Sequence, residues 1–346
     1  MKAVQLVEPG RLEVVDTEVP AIGVGDVLLK VGAAGLCHSD IHIRHLPEQF
    51  FAQPTTLGHE TAGHIAEVGS QVRGWSVGDA ALVHLIWACG ACAACARGDD
   101  NVCHQSGRLA MPATPGLGPH GGMAEYMAVP AQYLVPIANL DPVTAAPLAD
   151  AGMTPYHAIR NSARALRPGS TAVVIGIGGL GHLAVQILRT VSAARVIAID
   201  LSEDRLRTAR RHGAHEVLHA DNETVATLLE VTGGRGADAV FDFVGNQATV
   251  ELAADTVAPD GIYQLVGIGA GQVPITATPR FGTGWPWGAS VRTSYGGTKD
   301  DLLSCVALAA AGHLTVDVDT FTLDDAITAF DRLEAGTING RAVLIP

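Results

Sequence analysis

Positive charge is scarce in this sequence: 22 Lys and Arg stand against 35 Asp and Glu, for a formal net charge of -13. That balance argues against nucleic acid or an anionic membrane surface as the main partner. Long apolar runs are missing too, and nothing reaches the roughly 18–20 residues that a membrane-spanning helix needs. The opening stretch Met1-Lys2-Ala3-Val4-Gln5-Leu6-Val7-Glu8 has no long apolar core and soon meets an acid, so no secretory signal is expected, and a cytoplasmic location follows. No internal repeat or low-complexity segment stands out. Cysteine is sparse and uneven, with six residues in all and none between Cys103 and Cys305.

What is present is a compact globular composition, 48% hydrophobic and 16% charged, with 40 glycines that imply tight turns and close backbone packing. A chain of 346 residues exceeds one ordinary core and suggests two domains. The first 150 or so residues hold short β-branched runs broken by glycine and proline, such as Val27–Val31 and Ala62–Gly69, and read as a small irregular β-barrel. From about 155 the pattern alternates strands and helices: Thr171–Ile175, a helix from Gly181, Arg195–Ile199, a helix capped by Ser202, Ala239–Val244 and Gly261–Val266. Such alternation predicts a doubly wound parallel sheet, hence an α/β protein. The tail from about 289, with a helix near 299–311 and a last strand at 342–345, is assigned back to the first domain. The expected domains are therefore 1–151 completed by 289–346, and 152–288.

Four cysteines fall in one short loop, Cys89-x2-Cys92-x2-Cys95-x7-Cys103, with Gly90, Ala91, Ala93 and Ala94 between them. Without an export signal, such clustering reads as metal ligation rather than disulfides. Four thiolates close a tetrahedral zinc site and leave no position for water or substrate, so the role expected is structural. An iron–sulfur cluster or packed thiols are the alternatives. Cys305, on an apolar helix-like run, reads as core.

Gly176-Ile177-Gly178-Gly179-Leu180-Gly181 follows one predicted strand and opens a helix. In that setting glycines let the backbone approach a pyrophosphate, and the helix N-terminus favours its charge. Asp200 ends the next predicted strand, where its carboxylate would accept from ribose hydroxyls and repel a 2′-phosphate. With Arg205 as the nearest base, NAD is expected over NADP. The alternative for Asp200 is a helix cap.

Cys37 lies in Gly35-Leu36-Cys37-His38-Ser39-Asp40-Ile41-His42, and further on comes Gly58-His59-Glu60-x2-Gly63-x5-Gly69-x2-Val72. A lone Cys and a His–Glu pair would be weak evidence. The extended pattern resembles the signature of the zinc-containing medium-chain alcohol dehydrogenases. With the four-cysteine loop, the glycine turn and the closing Gly340-Arg341-Ala342-Val343, the resemblance runs over essentially the whole chain.

The resemblance implies a GroES-like irregular β-barrel catalytic domain, a Rossmann domain, and one catalytic plus one structural zinc per chain. It implies a catalytic zinc on Cys37 and His59, with a third ligand near the start of the cofactor domain. Many members have a cysteine there; this chain offers Asp150, as in the branch that includes bacterial secondary-alcohol dehydrogenases. Carboxylate oxygen is an acceptable zinc ligand, and three protein ligands leave a position open. Glu60 is an exchangeable ligand or a supporting partner. Ser39 and His42 are expected to carry the hydroxyl proton away, the imidazole suiting that task near neutral pH. By the same resemblance His38 and Arg341 meet the cofactor pyrophosphate, Thr154 lies near the nicotinamide, and Val244, Gly245, Val266, Gly267 and Ile268 border the cofactor. The activity implied is reversible NAD-linked oxidation of an alcohol, secondary more than primary, by a homo-oligomer, dimer or tetramer. Trp87, Trp285, Trp287 and Tyr295 could wall an apolar pocket, with Gly296 leaving space. A zinc polyol or sugar dehydrogenase is the runner-up, and a catalytically silent NAD- and zinc-binding protein belongs to a different class.

Overall fold

The computed structural model describes residues 1–47, 54–275 and 284–346. The chain divides into two compact units, Met1–Met153 with Gly296–Pro346, and Thr154–Tyr295.

The first unit is built on a seven-stranded sheet ordered Val318–Thr322, Arg341–Ile345, Asp26–Leu36, Glu60–Val68, Ala80–Val83, Leu134–Pro136, with Tyr126–Pro130 also pairing onto Asp26–Leu36. A three-stranded sheet, Arg11–Asp16, Lys2–Glu8 and Thr55–Thr56, stands beside it in the same unit. The long strand Asp26–Leu36 forms because its apolar residues pack on both sides, and only Lys30 is exposed. Val27, Leu29, Val31, Leu36, Ile65, Leu134, Phe330 and Leu344 share one core cluster, each large side chain contributing about 1.5–3 kcal/mol on burial. The closing strand Arg341–Ile345 lies antiparallel to Asp26–Leu36, which is why the tail belongs to this unit.

The second unit is a six-stranded sheet, parallel throughout, ordered Glu216–His219, Arg195–Asp200, Thr171–Ile175, Ala237–Asp242, Val257–Leu265, Ser290–Thr293. Thr171–Ile175 is first in sequence and sits centrally, so the direction of winding reverses between it and Ala237–Asp242. In open α/β sheets a ligand crevice forms outside the strand ends at such a point.

Several boundaries differ from expectation, the first unit running to Met153 rather than 151. Ser290–Thr293 is a sixth strand paired in parallel with Val257–Leu265, from Ile262↔Ser290 to Leu265↔Thr293. The second unit therefore runs to Tyr295 rather than 288. A four-residue strand with a single apolar residue, Val291, has too little period-2 pattern to be read locally. Ala237–Asp242 also stops two residues early, because the Asp242 side chain accepts from Val244 N and Gly245 N and turns the chain there.

Candidate metal and dinucleotide sites

Cys37 follows strand Asp26–Leu36 and caps the helix His38–Arg44 in extended conformation. Asp40, three residues on, accepts from Cys37 N at 2.9 Å and fixes that entry. His59 immediately precedes strand Glu60–Val68, which pairs with the Cys37-bearing strand through Gly35↔Glu60. The close approach requires glycine: a Cβ on Gly35 would lie 1.9 Å from Glu60 Oε2. Asp150 ends the short 3-10 turn Ala146–Ala149.

These elements bring one ligand atom each from Cys37, His59, Glu60 and Asp150 within 4.8 Å of one another. Cys37 Sγ lies 3.3 Å and His59 Nε2 3.8 Å from Asp150 Oδ2. His59 Nδ1 points the other way, 3.4 Å from Asp40 Oδ1. Burial alone would lower the His59 pKa, but Asp40, Asp150 and Cys37 raise it well above its usual range. Burial pushes the Glu60 carboxyl up to about 7 against the opposing pull of Arg341. A thiol, an imidazole and two carboxylates crowded into a buried space form a donor set of the zinc type. Glu60 Oε2 is buried with no hydrogen-bond partner, which also fits a cation at this centre.

Ser39 Oγ is 3.7 Å from Cys37 Sγ. His42, one turn further along the helix and exposed, shares that face. His38 is exposed at the helix start. Arg341 is buried, 3% exposed, and a guanidinium nitrogen is bonded to Glu60 Oε1. Asp40 is the residue that reading the sequence missed. Its signal was present as Cys37-x2-Asp40, the spacing of a helix-capping box.

The other cluster is sulfur alone. Cys89, Cys92, Cys95 and Cys103 have Sγ atoms within 4.8 Å of one another, with separations of 3.9, 3.5 and 4.0 Å for Cys89–Cys95, Cys92–Cys95 and Cys92–Cys103. Four sulfurs about 2.3 Å from a central zinc would stand about 3.8 Å apart. No cysteine pair forms a disulfide. Backbone N–H groups aim at the sulfurs: Cys92 N at Cys89, His104 N at Cys92, Cys89 N at Cys103. The backbone at Cys95 and His104 draws the Cys92 thiol down to about 5. Cys305 lies in the core, fully buried.

In the second unit the turn from Gly176 to Gly181 follows strand Thr171–Ile175 and leads into the helix Gly181–Val191. A Cβ on Gly181 would lie 1.9 Å from Gly176 O, so only glycine closes the turn, whereas the Cβ position of Gly178 is open. Gly179 and Leu180 are half-buried beside it. Asp200 Oδ2 accepts from Ile177 N at 2.7 Å and Oδ1 from Ser202 N at 2.9 Å. Asp200 is not the helix cap: Ser202 Oγ accepts from Arg205 N at 3.5 Å. Arg205 lies in the first turn of that helix, half-buried. Thr154 is buried, Val244, Val266 and Gly267 are half-buried, and Ile268 is exposed.

The aromatic residues have packing roles of their own. Trp87 stacks on Tyr133 at 5.2 Å and Trp285 on Tyr263 at 5.5 Å, while Trp287 is exposed.

Residues 23–139 match the alcohol dehydrogenase GroES-like domain, and residues 179–311 the zinc-binding dehydrogenase domain. The NAD-dependent alcohol dehydrogenase of Sulfurisphaera tokodaii is 36% identical over 367 residues, covering 100% of both chains. The crystal structure of the alcohol dehydrogenase of Aeropyrum pernix superposes with a TM-score of 0.91 at 36% identity, again over 100% of both chains. Acetophenone reductase from Geotrichum candidum, solved in complex with NAD, gives 0.85 at 30% identity over 100% of this chain and 97% of that one. Two metal-type clusters, a dinucleotide turn and full-length kinship converge, and the chain belongs to the zinc-dependent alcohol dehydrogenase family, with a GroES-like domain and a Rossmann-like dinucleotide domain.

Proposed function

We propose that this chain interconverts secondary alcohols and ketones with NAD, through a catalytic zinc on Cys37, His59 and Asp150. The convergence of Cys37, His59, Glu60 and Asp150 carries the reading. Zinc held there supplies Lewis acidity that makes an alcohol hydroxyl easier to deprotonate.

The remaining steps belong to the chain's own residues. Ser39 Oγ accepts the hydroxyl proton and passes it to His42, which is exposed and releases it to water. Bound there, NAD would supply the hydride acceptor, and the overall balance would be alcohol and NAD⁺ to ketone, NADH and one proton. Gly176 to Gly181 receive the pyrophosphate, and Asp200 accepts from the ribose. His38 and Arg341 are positive partners for the pyrophosphate, and Thr154, Val244, Gly245, Val266, Gly267 and Ile268 border the nicotinamide side. Asp40 holds His59 in place, and Glu60, paired with Arg341, supports the metal from behind. The Cys89, Cys92, Cys95 and Cys103 site is structural.

A carboxylate in place of a thiolate as third ligand, together with likeness to a ketone reductase, supports secondary alcohols. The test is a panel of 2-alkanols, primary alcohols, sorbitol-like polyols and the matching ketones, assayed with NAD(H) and NADP(H). Faster turnover of 2-alkanols with NAD is expected. A preference for polyols would move the chain to the polyol reading, and no turnover with two zinc ions bound would leave it catalytically silent. Assembly as a dimer or tetramer is part of the proposal, and light scattering tests it.

A further inference from the structure

Asp242 is fully buried at the end of strand Ala237–Asp242, next to the point where the parallel sheet reverses its winding. Five hydrogen bonds converge on this residue. Its Oδ1 accepts from Val244 N at 2.8 Å and Gly245 N at 2.9 Å, and its Oδ2 from the Tyr263 hydroxyl at 2.9 Å. Its main-chain oxygen accepts from Val266 N and Gly267 N, both at 2.9 Å. One residue therefore ties together two turns from different strands.

The turns also interlock directly. Gly269 N donates to Val244 O at 3.1 Å and Gly271 N to Gly245 O at 2.8 Å. A Cβ on Gly245 would lie 2.2 Å from Gly267 O, so neither turn moves without the other. Tyr263, which holds the second carboxylate oxygen, is itself pinned by stacking on Trp285.

Asp200, with the glycine turn, stands on one side of the reversal point, and the Asp242 assembly on the other. A dinucleotide laid across such a crevice puts its adenosine half over the first side and its other half over the second. Resting on the NAD reading above, we propose that Asp242 is a positioning residue for the nicotinamide half of the cofactor. It holds the Val244–Gly245 and Val266–Gly267 turns as one surface.

A merely structural carboxylate would loosen every ligand of this unit alike, whereas a positioning one separates the halves. The experiment measures dissociation constants of NADH and of AMP on the full zinc-loaded chain for wild type, Asp242→Ala and Asp242→Asn. Asp242→Ala is expected to weaken NADH by about tenfold or more while AMP shifts less than about twofold. Asp242→Asn keeps an oxygen for both turn N–H groups and is expected to restore NADH to within about threefold of wild type. Equal weakening of NADH and AMP, or unchanged NADH, overturns the proposal. If Asp242→Ala does not fold, Tyr263→Phe removes a single donor and decides the matter by the same split, with NADH weakened about threefold and AMP unchanged. Wild-type protein that binds neither AMP nor NADH would refute the NAD reading itself.

Discussion

The imidazole of His59 is held between two carboxylates, Asp40 Oδ1 lying 3.4 Å from Nδ1 and Asp150 Oδ2 3.8 Å from Nε2. The first contact places a carboxylate behind Nδ1 while Nε2 faces the Cys37–Asp150 cluster, the arrangement in which an outer carboxylate raises the basicity of a metal-bound histidine. Replacing Asp40 with Asn should lower zinc retention against a chelator, and activity, by roughly 10–100-fold. Unchanged retention in a chelator competition would mean that Asp40 serves only as the helix-entry cap of Cys37.

The two metal clusters should separate by mutation. Purified protein is expected to hold about two zinc ions per chain, and Cys37→Ala about one, with activity lower by roughly a thousandfold or more. Cys103→Ser should also retain about one, but its main loss should be thermal stability. Elemental analysis with a melting curve distinguishes these cases, and wild-type activity in Cys37→Ala would sink the zinc mechanism.

Asp200 presents two carboxylate oxygens, each using one lone pair on a backbone N–H. Exchanging it for Gly removes the ribose acceptor and the repulsion of a 2′-phosphate together. The ratio of kcat/KM for NAD to that for NADP is expected to fall by about tenfold or more. A ratio that stays put would assign Asp200 to holding the turn alone.

His84 gives stability a pH dependence. It is 1% exposed, with Nε2 3.3 Å from Gly297 O, and Asp100, Lys299 and Asp301 are the charges around it. Burial, aided by Lys299, lowers its pKa from 6.5 to about 4. Between those values the unfolded chain binds the proton and the folded one does not, so stability is whole above pH 6.5 and is lost as pH falls towards 4. The loss attributable to this group is about 3 kcal/mol. His84→Gln should flatten the acid side of a stability-versus-pH curve measured by urea unfolding, and a curve parallel to wild type would exclude His84.

Much was readable locally. The Cys89–Cys103 loop needs only short spacing to gather four sulfurs, and the glycine turn needs only a strand before it and a helix after it. The helix cap at Ser202 and the helix from Lys299 were legible for the same reason, since each depends on neighbours within one or two turns. Ser290–Thr293 was not legible, because its identity as a strand lies in pairing with Val257–Leu265.

The sequence by itself determined the donor types, the sulfur loop, the phosphate turn and the class of fold, all properties of residue chemistry and short-range period. Tertiary structure alone decided that Cys37, His59, Glu60 and Asp150 meet, that Asp40 backs His59, that Arg341 turns to Glu60, and that Asp242 ties two turns into one surface. Those outcomes depend on strand register and on which backbone passes close to which side chain. Both are set by packing among residues far apart in the chain, and no local pattern carries them.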